Sequence, residues 1–167
     1  VLAVDIGVPL SAFGGAVALV AGLAQGFRIM RWLDRSGMRN PLISVFHVGY
    51  AWLMIGLLLK GIWLLTVASF ADKWIHALTV GGFGTMILAV MARTSPARTA
   101  GGTKKMPISY SLISVAACIR VFAPSLLPDA YTAIVAVSGL LWIVAFAIFL
   151  GTYILASTEP RTYGRST

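Results

Sequence analysis

The stretch that decides the fold is residues 131–156, YTAIVAVSGLLWIVAFAIFLGTYILA, a run without a single charged side chain. A helix needs about 20 mainly apolar residues to cross a hydrocarbon core of about 30 Å. This run therefore predicts a membrane-spanning helix. Four further stretches of the chain meet the same criterion, at residues 6–27, 42–66, 75–92 and 108–126.

The composition of the whole chain agrees with a membrane protein. Of its 167 residues 59% are hydrophobic and 11% charged, against about 25% charged in an ordinary soluble domain, and the mean hydropathy is +0.90. So few charges exclude a soluble enzyme domain, a disordered chain and a coiled coil. The sequence predicts an all-α polytopic bundle of five spans as a single domain over residues 1–156, with a basic cytoplasmic tail over residues 157–167.

The basic residues indicate an orientation for the bundle. The net charge is +8, but bases gather in cytoplasmic loops of membrane proteins, so this charge does not indicate nucleic-acid binding. The opposite connections hold acids and little positive charge, which predicts an N-terminus outside and a cytoplasmic C-terminus. The ten bases on the alternate connections and the tail are Arg28, Arg31, Arg35, Arg39, Arg93, Arg98, Lys104, Lys105, Arg161 and Arg165.

The first span starts beside Asp5 and is too long for the apolar region of a signal peptide. An odd number of spans that begins outside the cell is an awkward start for a membrane protein. We therefore expect the chain to be the C-terminal part of something longer, with some partners of its polar groups supplied by an N-terminal half or by other helices.

Two spans carry small residues four positions apart. This spacing forms a flat stripe on one helix face, which lets two backbones approach closely. We interpret both stripes as packing faces. They are Gly14, Ala18, Gly22 and Gly26 in the first span, and Ala77, Gly81, Thr85 and Ala89 in the third.

His47 and His76, the two histidines of the chain, both lie in predicted spans. Neutral imidazole is a common ligand of haem iron, copper and zinc, so both are candidate metal ligands. The alternative for each is a hydrogen bond to a neighbouring carbonyl. His47 lies near the basic side and His76 near the other, so about 20 Å of a core of about 30 Å separates them and one metal ion cannot bind both. His76 is the stronger candidate, because Thr79, Phe83 and Gly84 on its helix face offer an aromatic wall and a glycine gap for a flat macrocycle.

Lys60 and Arg120 are the charged side chains that remain inside spans, both on the side of His76. For Lys60 we expect snorkelling to the membrane surface or pairing, and for Arg120 either the same or a bidentate bond to an anion such as a haem propionate, Asp72 or Asp129. Cys118 is interpreted as a small buried apolar residue.

Two motifs give the chain a resemblance to a known family. HVGYAWL at residues 47–53 and HALTVGGFGTM at residues 76–86, with CIRVFAP at residues 118–124, resemble the C-terminal half of the NnrS family over most of the chain. These bacterial membrane proteins are regarded as haem and copper proteins linked to nitric oxide metabolism and denitrification. The resemblance carries onto His47, Gly49, Tyr50, Trp52, His76, Thr79, Gly81, Gly84, Met91, Arg93 and Arg120.

One position departs from the family pattern. Where the family usually has a third histidine after the third span, this chain has Arg98. The family's N-terminal half, which carries its own histidine motif, is also missing, so the resemblance does not imply a complete metal site in this chain alone.

The leading hypothesis is a multi-pass protein of the bacterial inner membrane that binds haem, copper or both and handles nitric oxide, which is a possible ligand. Its predicted metal ligands are His76 and His47, with Arg120, Thr79, Gly81, Gly84 and Lys60 as cofactor-binding residues. Catalysis is left open, because no carboxylate pair stands inside the spans. The alternative is a non-enzymatic assembly or transport subunit whose polar span residues line an interface or a solute path.

Overall fold

The computed structural model describes residues 6–7, 11–32, 41–94 and 106–158. Five helices long and apolar enough to cross a membrane account for nearly all of this part of the chain, which contains no strand. The predicted all-α fold with five spans is thereby confirmed. The connections 33–40 and 95–105, the second of which contains Arg98, lie outside the described residues, as does the tail after Thr158. The orientation of the bundle therefore stays a prediction.

The helices are labelled α1 to α5. Helix α3 is composite, because an α-helical turn, a π-helical segment and an α-helix follow one another without a break. The bounds are α1, Ala12–Trp32; α2, Pro41–Thr66; α3, Trp74–His76, Ala77–Phe83 and Gly84–Thr94; α4, Met106–Leu126; and α5, Tyr131–Thr158.

Helix α1 begins later and ends later than the hydropathy predicts. The Ser11 hydroxyl accepts the backbone N–H of Gly14 at 3.0 Å and caps the first turn. At the other end the helix continues past residue 27 to Trp32, because the Arg28 guanidinium stacks on the Trp32 ring one turn later, 4.4 Å from its centroid. A span boundary read from hydropathy marks where the apolar residues stop, whereas the helix continues into the interface.

The five helices pack as a row in chain order, each mainly against its neighbours in sequence. Helix α1 meets α2 through the predicted stripe of small residues, all of which are buried. A Cβ added at Gly22 would stand 2.8 Å from Leu58 Cδ2, and one at Gly26 would stand 2.8 Å from Met54 Sδ. The close approach that the stripe predicts is therefore present.

The second stripe, on α3, is also buried. Gly81 lies under the Trp52 ring of α2, so closely that an added Cβ would stand 2.5 Å from Trp52 Cδ2. On the other side of α3, Gly84 faces Ile113 of α4. Small residues thus place α3 between α2 and α4.

Two apolar clusters hold the row together. One lies towards the end of the bundle that carries Arg28 and Arg93 and includes Val45, Leu88 and Ile113. The other lies towards the opposite end and includes Trp52, Ala77 and Val121. We call these two ends the basic end and the His76 end.

The reversal from α2 to α3 at the His76 end is tight. Val67 follows the last residue of α2 with a φ of 53°, and its N–H donates to the Trp63 carbonyl at 2.8 Å. This left-handed residue with a bond to the last turn is a common helix stop. The short 3-10 turn Ser69–Ala71 then leads into α3.

Candidate functional site

His76 ends the first α-helical turn of α3 and directly precedes the π-helical segment. The charged groups that act on its imidazole are Arg120 of α4 and the adjacent Lys73 and Asp72. The ring is partly exposed, and within the described residues its nitrogens have no hydrogen-bond partner. The structure thus gives His76 and Arg120 a shared electrostatic environment, with an imidazole whose nitrogens are unengaged.

The π-helical segment Ala77–Phe83 sets the direction of His76 relative to the rest of α3. The N–H of Gly84 bonds to the Thr79 carbonyl five residues back and also to the Gly81 carbonyl, so one residue more than an α-helix allows is accommodated here. Such widened turns occur often at functional sites. Nothing in the hydropathy of this span signals the change.

Arg120 anchors α4 to α5. Its Nη1 donates to the Val135 carbonyl and to the Ser138 hydroxyl, each at 3.2 Å, and that hydroxyl donates to the same carbonyl at 3.1 Å. The predicted pairing of Arg120 with Asp72 or Asp129 is absent from the described structure, where Asp72 pairs with Lys73. A helix carbonyl and a serine therefore receive one edge of the guanidinium.

The other edge of Arg120 is left without a partner. Its Nε is buried and, within the described residues, makes no hydrogen bond. Arg120 also borders a cavity of about 320 Å³ between α3, α4 and α5. A buried N–H of a permanently charged group without a partner is costly. The cavity is lined by Val80, Arg120, Ser138, Gly139, Trp142 and Ile143.

Lys60 is buried within the bundle, with 6% of its surface exposed. Its ammonium lies 4.8 Å from the centroid of the Trp74 ring, where it makes a cation–π contact. The pairing that was one of the two expectations for Lys60 is present, with an aromatic ring among its partners, and snorkelling stays a prediction. The aromatic face of Trp74 offsets part of the desolvation of the charge.

The predicted cofactor residues of α3 serve helix packing in this structure. The Thr79 hydroxyl donates to the Ile75 carbonyl at 2.8 Å and is thereby engaged within its own helix. Trp52 covers Gly81 and Ile113 covers Gly84, so the expected glycine gap is filled. Phe83 points outwards with 60% of its surface exposed. Cys118 is exposed as well, so its interpretation as a buried apolar residue is wrong.

His47 lies at the basic end, far from His76. Its Nδ1 is 3.1 Å from the Ile43 carbonyl and its Nε2 is 3.2 Å from the Trp32 carbonyl at the end of α1. A metal ligand must present a free lone pair, and here both ring nitrogens face carbonyl oxygens. This is the hydrogen-bonded alternative, and metal binding by His47, which stays a prediction, would require its ring to leave one carbonyl.

A second cavity, of about 290 Å³, adjoins His47. It lies between the basic ends of α1, α2 and α3. Its lining combines aromatic, aliphatic and basic side chains: Ile29, Trp32, Ile43, Phe46, His47, Tyr50 and Arg93.

The arrangement of donors restricts which metal the described residues fit. Within them no three His, Cys, Asp or Glu side chains come together as a metal site. Copper and zinc sites in proteins take several such ligands. Haem needs only one axial imidazole from the protein, because the macrocycle supplies the other four nitrogens. A single histidine could therefore serve haem, whereas a bare copper or zinc ion would need further ligands.

Helix α5 contributes residues to the cavity that the sequence motifs did not indicate. Ser138 and Trp142 complete the cavity beside Arg120, yet they stand in the most apolar span of the chain. The signal available was Ser138 itself, a polar residue about two turns into that span, at a depth that matches that of Arg120 on the preceding helix.

Comparisons with known proteins bear on identity. No curated protein and no solved structure matches the chain. The sequence model of the NnrS protein family matches residues 1–161, nearly the whole chain. The motifs at His47 and His76 fall within that match, on the second and third of five helices that can span a membrane. The chain is therefore a multi-pass membrane protein that belongs to the NnrS family, which indicates a role related to nitric oxide.

Proposed function

We propose that this chain forms part of a haem-binding protein of the bacterial inner membrane that acts in the nitric oxide response. His76 would hold the haem iron and Arg120 would bind a propionate. The observation that carries the proposal is the buried Arg120 Nε without a partner in the described structure, on a side chain that borders a cavity.

The chemistry of the donors supports haem as the group. A propionate carboxylate accepts a charge-assisted hydrogen bond from a guanidinium, and the guanidinium of Arg120 borders the cavity while its Nη1 stays on α5. The imidazole of His76 has nitrogens without hydrogen-bond partners in the described part of the chain, so one is available to iron. Haem iron, when bound, supplies a coordination position for a small diatomic molecule such as nitric oxide.

The size of the cavity limits how much of the group this chain encloses. About 320 Å³ is at the lower end of the roughly 300–1,000 Å³ of small-molecule sites. It accommodates a propionate-bearing edge, and the remaining surface of the macrocycle would lie against lipid or further protein.

The experiment that tests the proposal measures haem in the purified complete protein. We expect His76→Ala to abolish or shift the Soret band, and His47→Ala, its matched control, to leave the band in place. Arg120→Lys should retain more haem than Arg120→Leu, because it keeps the charge. A wild-type Soret band at full occupancy in the His76→Ala protein would rule out His76 as ligand.

A second candidate function, that of a transport or assembly subunit, is favoured by a set of buried hydroxyl groups. Four buried hydroxyls on α3 and α4 have no hydrogen-bond partner within the described residues, and buried polar groups in spans often line an interface or a solute path. Protein without a Soret band or bound metal would favour this function. The hydroxyls belong to Thr85, Ser109, Tyr110 and Ser114.

A further inference from the structure

The cavity at the basic end combines two kinds of surface. Ile29, Ile43 and Phe46 form an apolar wall, whereas Arg93 supplies a guanidinium. Small-molecule sites commonly pair a large apolar lining with a few convergent polar groups. The ligand that fits this cavity is therefore an amphiphile with an acidic head.

An aromatic pair and a second arginine strengthen the polar side of the cavity. Trp32 and Tyr50 meet edge to face, with ring centroids 6.0 Å apart. The Arg28 guanidinium lies 4.4 Å from the Trp32 centroid and 5.4 Å from that of Tyr50. Tryptophan and tyrosine are enriched at the level of lipid headgroups, and the stacked Arg28 adds a positive charge beside the rings.

The charge at this end is not balanced by acids of the described chain. The two described carboxylates, Asp72 and Asp129, both lie at the His76 end. Arg93 makes no ion pair or hydrogen bond within the described residues. A guanidinium offers bidentate donors that match a phosphate, and basic sites between spans are known to bind acidic lipid headgroups.

We propose that the cavity between the basic ends of α1, α2 and α3 binds an anionic phospholipid. The phosphate lies on Arg93 with Arg28 nearby, and an acyl chain lies along Ile29, Ile43 and Phe46. His47 and its carbonyl contact to Trp32 tie α1 to α2 beside the cavity, so the lipid seals the junction of the first three helices. The site is separate from the His76 end and does not depend on haem.

The test measures lipid binding to the complete protein in mild detergent by native mass spectrometry. Phosphatidylglycerol and phosphatidylcholine with the same acyl chains serve as probes. We expect one phosphatidylglycerol to bind at concentrations where phosphatidylcholine does not. Arg93→Gln should weaken this binding about tenfold, which corresponds to the loss of one charge-assisted contact, and Arg93→Lys should retain most of it.

Arg31→Gln is the matched control, because it removes the same charge from α1 at a side chain that stacks on Phe27 instead of bordering the cavity. Size-exclusion chromatography and circular dichroism establish that each variant is folded. Equal binding of the two lipids, or an equal loss in Arg31→Gln and Arg93→Gln, would overturn the proposal. Inorganic phosphate that displaces phosphatidylglycerol at micromolar concentration would also overturn it, since the cavity would then be a site for the free anion.

Discussion

Val67 carries backbone strain that a smaller residue would remove. It is a β-branched residue with a φ of 53°, a region in which side chains of this type are rare because Cβ meets the following carbonyl at a cost of about 1–2 kcal/mol. We expect Val67→Gly to raise the stability of the protein by about 1 kcal/mol, measured as thermal unfolding in detergent. Val20→Gly, at an exposed position inside α1, should lower the stability. A gain in stability at both positions would contradict the interpretation that Val67 is strained.

Gly81 is one of three described glycines at which an added Cβ would stand 2.5 Å from a neighbouring atom. An added Cβ would stand 2.5 Å from Trp52 Cδ2, on a rigid ring that is itself buried. Gly81→Ala should therefore lower the free energy of unfolding by about 1–3 kcal/mol through overpacking. Gly151→Ala, where no atom lies within 4 Å of the new Cβ, should be neutral or stabilising. Equal effects in denaturation experiments would show that α2 and α3 can separate without loss.

The contact between Arg120 and Ser138 can be measured by a double-mutant cycle. Each contributes to the link between α4 and α5, and Ser138 receives Arg120 Nη1 at 3.2 Å. From Arg120→Met, Ser138→Ala and the double variant we expect a coupling of about 0.5–1.5 kcal/mol, the range found for hydrogen bonds between spans. Unfolding in detergent provides the values, and additive effects would show that the two side chains act independently.

At the scale of the element, the π-helical segment of α3 leads to a prediction about the direction of His76. Deleting Gly82 removes the extra residue of the segment, and each residue turns a helix by about 100°. The deletion should restore a regular α-helix and rotate His76 away from Arg120. We therefore expect the protein to keep its helix content and to lose haem from the proposed site. Circular dichroism and the Soret band report the two effects. Deleting Gly151 in α5 controls for the loss of any one residue, and haem binding as in wild type after the Gly82 deletion would show that the direction of His76 is immaterial.

Some features of the helices could be predicted from sequence patterns and others could not. Five spans and both stripes of small residues followed from hydropathy and spacing, because burial in lipid and close packing each require one kind of residue. The π-helical segment did not, since it depends on how Gly81 fits under Trp52 and Gly84 against Ile113. Contacts between helices also decide whether Lys60 is buried and whether Cys118 is exposed, and a single span does not encode them.

At the scale of the whole molecule, the orientation rests on the distribution of bases and can be tested. Single cysteines introduced at Thr94 and Asp129, both exposed, would mark the two ends in a protein that carries Cys118→Ala. We expect an impermeant reagent added outside the cell to label position 129 and to leave position 94 unlabelled until the membrane is opened. The reverse pattern would invert the topology.

The candidate site, like the helices, could be predicted from the sequence only in part. The motifs pointed to His76 and Arg120 as residues of one end, and their joint role in a site stays a prediction. The cavity could not be predicted as a whole, because four of its six lining residues come from α5, where Ser138 is the one polar residue that marks the face that meets Arg120. The carbonyl contacts of His47 were equally hidden, since one of them comes from the end of another helix.

The separation of His76 and His47 has an electrical consequence. Helix α2 links the two ends with 26 residues, about 39 Å of helix at 1.5 Å per residue, which spans the insulating part of a bilayer. An elementary charge transferred between the two ends would cross most of the transmembrane potential, worth about 2.3 kcal/mol per 100 mV for the full crossing. Energisation of the membrane would consequently favour an anion at one end and disfavour it at the other, so voltage becomes a variable that can distinguish the ligands of the two cavities.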